Sequence, residues 1–372
     1  MSFRYGVYGT GRIGRAHADL VRSQGCEVIA VGDDVAEAAE VARAEQGLGL
    51  DATYTDAAAM AHAIAEHADG VIIASNTCDH ARHATPFIEV GIPAYLEKPI
   101  TDDLVEAFDF AESLSDGGSG VQLGLQRRFE PALGHARSVI ESGLVGQVRE
   151  IRCILRDQFP PPETYQSRGL IIDMGIHVAD EARFLLDEFP NELWASLHRT
   201  VGYESVIDEG GDTAFVTMVF PSGAVGRLDL SRTHSSGYNN ETYVIGTDAT
   251  LHVGRFAGYP GPIHVELWNS AGELVPESKV FDMAHLEGTY PEFLPRFREA
   301  YLLAHADFRR AVANGDRFRV TALDALDAQV IVEAAHRSAM SGRESVRIER
   351  GDGALDDYRR ACAAAGLLGA TS

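Results

Sequence analysis

Two short constellations carry residue types suited to proton chemistry. The first is Glu97-Lys98-Pro99, which follows the apolar run Pro93-Ala94-Tyr95-Leu96 and so stands at the carboxyl end of an expected strand. Pro99 disfavours helical geometry at Lys98 and sharpens the turn. An ammonium held there beside another positive group has a lowered pKa, which suits proton relay or polarisation of a hydroxyl. The other reading is a surface lysine in a turn. The second constellation is Asp173-Met174-Gly175-Ile176-His177-Val178-Ala179-Asp180. Asp173, His177 and Asp180 are spaced to share one helical face. An imidazole is the side chain best matched to accepting a proton near neutral pH. The alternative is that Asp173 caps a helix and His177 is a packed, satisfied ring. No third ligand of suitable spacing accompanies them, so no metal site is expected. His80 and His83 share another expected helix, where a solvated or capping role suits His83.

The elements that must position these groups start at the N-terminus. Strand Phe3 to Tyr8 runs into Gly9-Thr10-Gly11-Arg12-Ile13-Gly14 and then into an amphipathic helix. Strand, glycine turn and helix are in the order of a dinucleotide-binding βαβ unit. Gly9 permits the tight turn, Gly11 lets the backbone approach a pyrophosphate, and Gly14 allows close helix–strand packing. The phosphate charge would meet free N–H groups at the helix start. Strand Glu27 to Val31 ends in Gly32-Asp33, about 20 residues beyond the glycines, where a carboxylate accepts hydrogen bonds from ribose hydroxyls. Asp34 follows, with no neighbouring Arg or Lys to receive a 2′-phosphate, so NAD is expected over NADP. The apolar run Gly70 to Ala74 ends in Ser75-Asn76-Thr77, small polar residues where a parallel strand meets a cofactor.

The remaining rhythm divides the 372-residue chain into three parts. Residues 1–124 read as a Rossmann domain with helices near 35–46, 56–66, 79–90 and 102–114, the last capped by Thr101. Past residue 125 a helix opens at Pro131 and strands then dominate, as in Arg227 to Ser231, where Leu228 and Leu230 share one face. Phe220 to Gly223 and Asn269 to Gly272 are turns between antiparallel neighbours. Helices resume near 292–314 and 324–341. Residues 125–350 are therefore an α+β domain with a mostly antiparallel sheet, one face of which is expected to be covered by another subunit. Residues 351–372 form a helical tail.

Bulk composition is that of a soluble globular protein, 45% hydrophobic and 23% charged. A net charge of −23 opposes nucleic acid and anionic membrane as partners. Cys26, Cys78, Cys153 and Cys362 lack CxxC spacing and read as buried thiols in a reducing cytosol. No run approaches the ~18 apolar residues that would span a membrane, and the N-terminus lacks a signal-peptide layout, so a cytoplasmic location is expected.

Taken together, Gly9-x-Gly11-x-x-Gly14, Glu97-Lys98-Pro99, Gln126-Arg127-Arg128-Phe129-Glu130-Pro131 and Asp173-Met174-x-Ile176-His177-x-x-Asp180 resemble the Gfo/Idh/MocA oxidoreductases in order and spacing. The likeness is greatest to their inositol dehydrogenase branch and covers about residues 3–348. Arg156-Asp157, Ser231-Arg232, Gly237-Tyr238 and Phe293-x-x-Arg296-Phe297-x-x-Ala300-Tyr301 extend it. The resemblance implies a Rossmann domain, a second domain with a large open sheet, and a homodimer or homotetramer. It implies catalytic roles for Lys98, Asp173 and His177, with His177 taking the hydroxyl proton. NAD would be held by the Gly9–Gly14 turn, Asp33, Ser75, Asn76, His80, Glu97, Lys98 and Gln126. Substrate hydroxyls would be held by Lys98, Arg127, Asp157, Asp173, His177, His234 and Tyr238. The chain departs from the branch at Arg168-Gly169, where a Gly-Gly pair is usual, at Val178 in place of Asp, and at Thr233-His234-Ser235-Ser236 in place of a tyrosine-rich segment. These touch the substrate wall and leave the hydride machinery intact. The expected activity is NAD-dependent oxidation of a secondary hydroxyl of a cyclic polyol or sugar. The alternatives are keto-sugar reduction, redox-assisted glycoside processing, and a non-catalytic NAD or sugar sensor.

Overall fold

Six short strands, apolar almost throughout, pair in parallel into the first sheet. They are β1 (Arg4–Tyr8), β2 (Glu27–Gly32), β3 (Thr53–Tyr54), β4 (Gly70–Ile73), β5 (Ala94–Leu96) and β6 (Val121–Leu123), in the order β3-β2-β1-β4-β5-β6. The computed structural model describes residues 2–114, 120–159, 168–201, 211–255, 261–282, 293–350 and 354–368. Helices α1 (Arg12–Ser23), α2 (Ala36–Gln46), α3 (Ala57–Ile64), α4 (His80–Glu89) and α5 (Leu104–Ser113) connect the strands. This is the Rossmann order, and its direction of winding reverses between β1 and β4, the place where such sheets take a dinucleotide. Continuous apolar strands fit a sheet covered on both faces; Val7, Val71, Ile72, Ile73 and Leu96 are fully buried. Asp56 caps α3 as expected, accepting the Ala59 N–H at 2.7 Å. The cap of α5 is Asp103, not Thr101, because the Asp103 carboxylate reaches both Val105 and Glu106 N–H groups.

The first compact unit comprises Met1–Gln126 together with Tyr301–Leu326. The return of 301–326 has no counterpart in the division expected from sequence. Val320 O accepts the Leu123 N–H at 3.1 Å, and Ala304 O accepts from the Gln122 amide at 3.0 Å. Two segments remote in sequence thus complete one core.

The second unit is built on a nine-stranded sheet of β7 (Val148–Arg156), β8 (Glu192–His198), β9 (Thr213–Val219), β10 (Val225–Ser231), β11 (Asn239–Gly246), β12 (Ala249–Arg255), β13 (Ile263–Asn269), β14 (Lys279–Phe281) and β15 (Val346–Arg347). Their order is β14-β13-β12-β11-β7-β10-β9-β8-β15, antiparallel except for the β7–β10 pair. Period-two alternation sorts the side chains. Leu193, Met218, Gly226, Ile151, Val244, Leu251 and Leu267 pair across the sheet on one face, where α6 (Pro131–Glu141), α7 (Leu170–Asp173) and α8 (Gly175–Leu186) pack. The neighbouring row, on the other face, is Trp194, Thr217, Arg227, Arg152, Tyr243, His252 and Glu266. Trp194, Phe215, Val225 and Trp268 are exposed there. Helices α9 (Phe293–Asn314), α10 (Ala322–Met340) and α11 (Leu355–Ala364) complete the chain, and α11 docks through buried Tyr358 and Cys362. Of the four cysteines Cys78 is exposed, against expectation, since it lies in the short turn after β4.

Candidate active-site residues

In the first unit the glycine turn is built to receive a dinucleotide. Gly9 has φ +89°, and a Cβ there would lie 2.1 Å from Ser75 N; one on Gly14 would lie 1.8 Å from Gly9 O. A Cβ on Gly11 would meet nothing within 4 Å. The turn is thus closed against the protein at Gly9 and Gly14 and open outward at Gly11. Gly11 is also the N-cap of α1 and offers no side chain to its N–H groups, which leaves them for an anion. Asp33 Oδ2 accepts from Thr10 N at 2.7 Å and Thr10 Oγ1 at 3.1 Å, while Oδ1 accepts from Val35 N at 3.0 Å. An ionised carboxylate has about four acceptor sites, so capacity remains for ribose hydroxyls.

Asp34 corrects the sequence reading. A cation is close by after all, from α4: Arg82 NH2 lies 3.2 Å from Asp34 Oδ2 and 2.8 Å from Asp79 Oδ1. Tyr8 OH donates to Asp34 Oδ1 at 2.6 Å. His83 is neither solvated nor a cap; its ring is buried against Tyr8, and Nδ1 lies 2.8 Å from Ser75 Oγ. Its Nε2 is 3.2 Å from Asp34 Oδ1 but outside hydrogen-bonding geometry. Asp34 therefore pairs with a guanidinium that α4 brings to the turn after β2. Asp34→Asn is expected to leave Arg82 held by Asp79 alone, able to meet a 2′-phosphate, and to raise the kcat/KM ratio of NADP to NAD by about tenfold; an unchanged ratio would show that Arg82 has no part in selection.

The strand end after β4 is tied to the lysine loop by His80, which is buried with Nδ1 2.8 Å from Pro99 O and Nε2 3.1 Å from Ser75 O. Burial pushes its pKa down, against the two carbonyls and Glu97, which favour the charged ring. Between Ala94 and Thr101 every residue is buried except Lys98 and Pro99. Asn76 is exposed, and Gln126 is buried with an Oε1 that has no partner among the described residues.

In the second unit Asp173, His177 and Asp180 do not share one continuous helix. The run breaks at Met174, so α7 ends on Asp173 and α8 begins at Gly175. Asp173 does not cap α8, whose N-cap is Met174 without a side-chain bond. Asp180 is 1% exposed and takes a bidentate grip from Arg128, at 2.6 and 3.0 Å. What distinguishes the other two is exposure. From Gly169 to Ala182 every residue is buried except Asp173 and His177. Asp173 is held by Arg232, whose NH2 donates to Oδ2 at 2.9 Å from a site only 1% exposed. Arg232 was legible: it continues the inward parity of Leu228 and Leu230, and an inward arginine requires a carboxylate.

The charged residues of Gln126 to Pro131 clamp α8 and its surroundings. Arg127 is buried over the Phe297 ring and donates to Glu181 Oε2 at 2.6 Å. Burial opposes its charge, and Glu181 restores it, leaving the guanidinium above its ordinary pKa. Glu130 caps α6 through Leu133 N and pairs with Arg296 at 3.1 Å. The segment after β10 brings together other expected substrate residues. Asp157 N–H donates to Ser231 O and His234 N–H to Asp157 O, each at 2.9 Å. His234 Nδ1 donates to Gly237 O at 2.7 Å, and Tyr238 is buried. Glu181 and Arg82 were missed because each acts through a partner remote in sequence. Among the described residues no three His, Cys, Asp or Glu side chains converge as a metal site would, and no helix is long and apolar enough to cross a membrane.

A Rossmann unit with this turn, joined to an α+β unit in which Asp173 and His177 are half-buried within a buried run, defines an NAD-binding oxidoreductase. Residues 3–125 match the oxidoreductase family with an NAD-binding Rossmann fold, and residues 134–252 match the GFO/IDH/MocA C-terminal domain. The chain belongs to the GFO/IDH/MocA family. It is 32% identical to a scyllo-inositol 2-dehydrogenase (NAD(+)) of Bacillus subtilis over 87% of this chain and 90% of that one. It is 29% identical to an inositol 2-dehydrogenase of Rhizobium meliloti over 92% and 99% of the two chains. A myo-inositol dehydrogenase structure from Corynebacterium glutamicum superposes with TM-score 0.77 at 26% identity, covering 94% of this chain and all of that one.

Proposed function

We propose that this protein oxidises a secondary hydroxyl of a cyclic polyol of the inositol type to a ketone, with NAD as acceptor. The observation that carries the reading is that Asp173 and His177 alone reach the surface of an otherwise buried run. Likeness over nearly the whole chain to inositol 2-dehydrogenases supports the substrate class.

When bound, NAD supplies the oxidised nicotinamide that accepts the carbinol hydrogen with its electron pair. The Gly9–Gly14 turn, Asp33, Ser75, Asn76, His80, Glu97 and Gln126 hold it. His177 takes the hydroxyl proton on Nε2, since Nδ1 is buried; an imidazole is the side chain best matched to that task. Asp173, fixed by Arg232, accepts a hydrogen bond and orients the reacting group. Lys98 is assigned the polarisation of a hydroxyl and the relay of charge. Asp157, His234 and Tyr238 hold the remaining hydroxyls, and Arg127 supports that wall. Many polar partners are what a polyol demands, since any left unpaired is penalised.

The test is reduced-nicotinamide absorbance during incubation with NAD and myo-inositol, scyllo-inositol, both hands of glucose, or xylose. Turnover on an inositol is expected to exceed that on the sugars. No turnover on any member, with NAD binding intact, would overturn the reading. The same reading makes the enzyme a cytoplasmic homodimer or homotetramer, assembled over the sheet face that carries Trp194, Phe215, Val225 and Trp268. A dilute sample sedimenting only as monomer would refute that assembly.

A further inference from the structure

The interior of the first unit holds a line of ionisable side chains, two of which, His17 and His305, have no part in the proposed reaction. Glu97, immediately before Lys98, is buried. Its Oε1 lies 2.9 Å from His17 Nε2, and its Oε2 accepts the Lys98 N–H at 3.2 Å. His17 Nδ1 in turn lies 2.8 Å from His305 Nε2. His17 and His305 are 1% and 0% exposed. Tyr95 and Tyr301 meet the His17 ring edge-on, with centroids 5.4 and 5.3 Å away, so the ring has little freedom to turn. Space for the carboxylate is left by Gly124, where a Cβ would come within 3.0 Å of Glu97 Oε1.

The hydrogens in this line can be counted. Burial opposes ionisation of Glu97, but the bond from His17, together with the charges of His17, Lys98 and His80, holds the carboxyl below its ordinary pKa. An ionised carboxylate only accepts, so His17 Nε2 must carry a hydrogen. One hydrogen lies between His17 Nδ1 and His305 Nε2. Burial, with His17 and Arg309 nearby, keeps His305 neutral. Whichever ring supplies that hydrogen, His17 donates to Glu97. Burying three ionisable groups is costly unless each is partnered. Here the partnering ends on the backbone of the lysine loop. His17 belongs to α1, the helix that opens at the glycine turn.

We propose that His17 is a positioning residue for Lys98: acting through Glu97, it fixes the backbone from which the ammonium projects and joins the dinucleotide-binding helix to the lysine loop. The effect on turnover rests on the dehydrogenase reading, whereas the effect on the loop does not. Two variants separate donor loss from packing loss. His17→Leu removes the donor, while His17→Gln keeps an amide N–H able to replace Nε2. In His17→Leu, deuterium exchange at the Lys98 amide is expected to rise about tenfold, as loss of a local restraint lowers the opening free energy. The kcat for polyol is expected to fall about tenfold with KM and NAD affinity within about twofold, the signature of a lost transition-state contact. His17→Gln should recover both to within about threefold. Gly124→Ala, which presses on Glu97 from the other side, carries the same expectation should the leucine variant not fold. Unchanged exchange at Lys98 would overturn the proposal, as would equal impairment of the leucine and glutamine variants with NAD affinity falling alongside kcat. If the parent protein oxidises no polyol, the kinetic arm fails with the proposed function, and the exchange arm still decides the positioning role.

Discussion

Replacing Lys98 with methionine is expected to lower kcat by about a thousandfold, within the range for loss of a positioned acid–base group, and to leave NAD affinity within about twofold. Methionine keeps the length and the apolar stem of lysine and removes only the ammonium. Lys98 is half-buried, at the point where the run from Ala94 to Thr101 opens outward. The variant should therefore fold with a stability change of about 0.5 kcal/mol or less, as is usual for partly exposed sites. Its backbone contact to Glu97 does not depend on the side chain. A loss in kcat with NAD titrating normally by calorimetry would mark a group acting on the reacting oxygen. Near-normal turnover would remove Lys98 from the mechanism, and a parallel loss of NAD affinity would make it a cofactor ligand instead.

The sequence exposed those parts of the molecule whose physics is local. Continuous apolar strands followed by glycine, carboxylate or small polar residues were enough to lay out the Rossmann sheet, and alternation at Leu228 and Leu230 was enough for the second. Lys98 was legible because proline and strand end constrain it within three residues. The α7–α8 break was not, because spacing at i and i+4 cannot reveal that Met174 interrupts the helix. Arg82 was missed for a related reason: 48 positions separate it from Asp34, and only the fold brings α4 to the turn after β2. His83 was misjudged because its environment is set by Tyr8 of β1 and by Ser75 in the turn after β4. Residues 160–167, with the proline-rich loop, and the glycine-rich turn at 115–119 lie outside the described residues.

Arg127 shows where a resemblance and a geometry lead to different experiments. The family likeness implies a hand in substrate binding, while the observed guanidinium is buried and spends NH1 on Glu181. Glu181 is itself 1% exposed and accepts a second hydrogen bond from Thr242. Arg127→Met would leave that carboxylate buried without its counterion, which typically costs about 3–5 kcal/mol. For a unit of this size that corresponds to a fall in Tm of roughly 10 °C. Because Glu181 lies one turn beyond His177 on α8, loosening it should also lower kcat, with KM following only as far as the helix moves. Adding Glu181→Met to Arg127→Met should recover most of the lost stability, since the penalty comes from the orphaned charge more than from the pair. A substrate ligand would behave in the opposite way: KM would rise severalfold, Tm would stay within about 2 °C, and the second substitution would rescue nothing. The double-mutant cycle thus separates a guanidinium that grips the helix bearing His177 from one that grips the polyol.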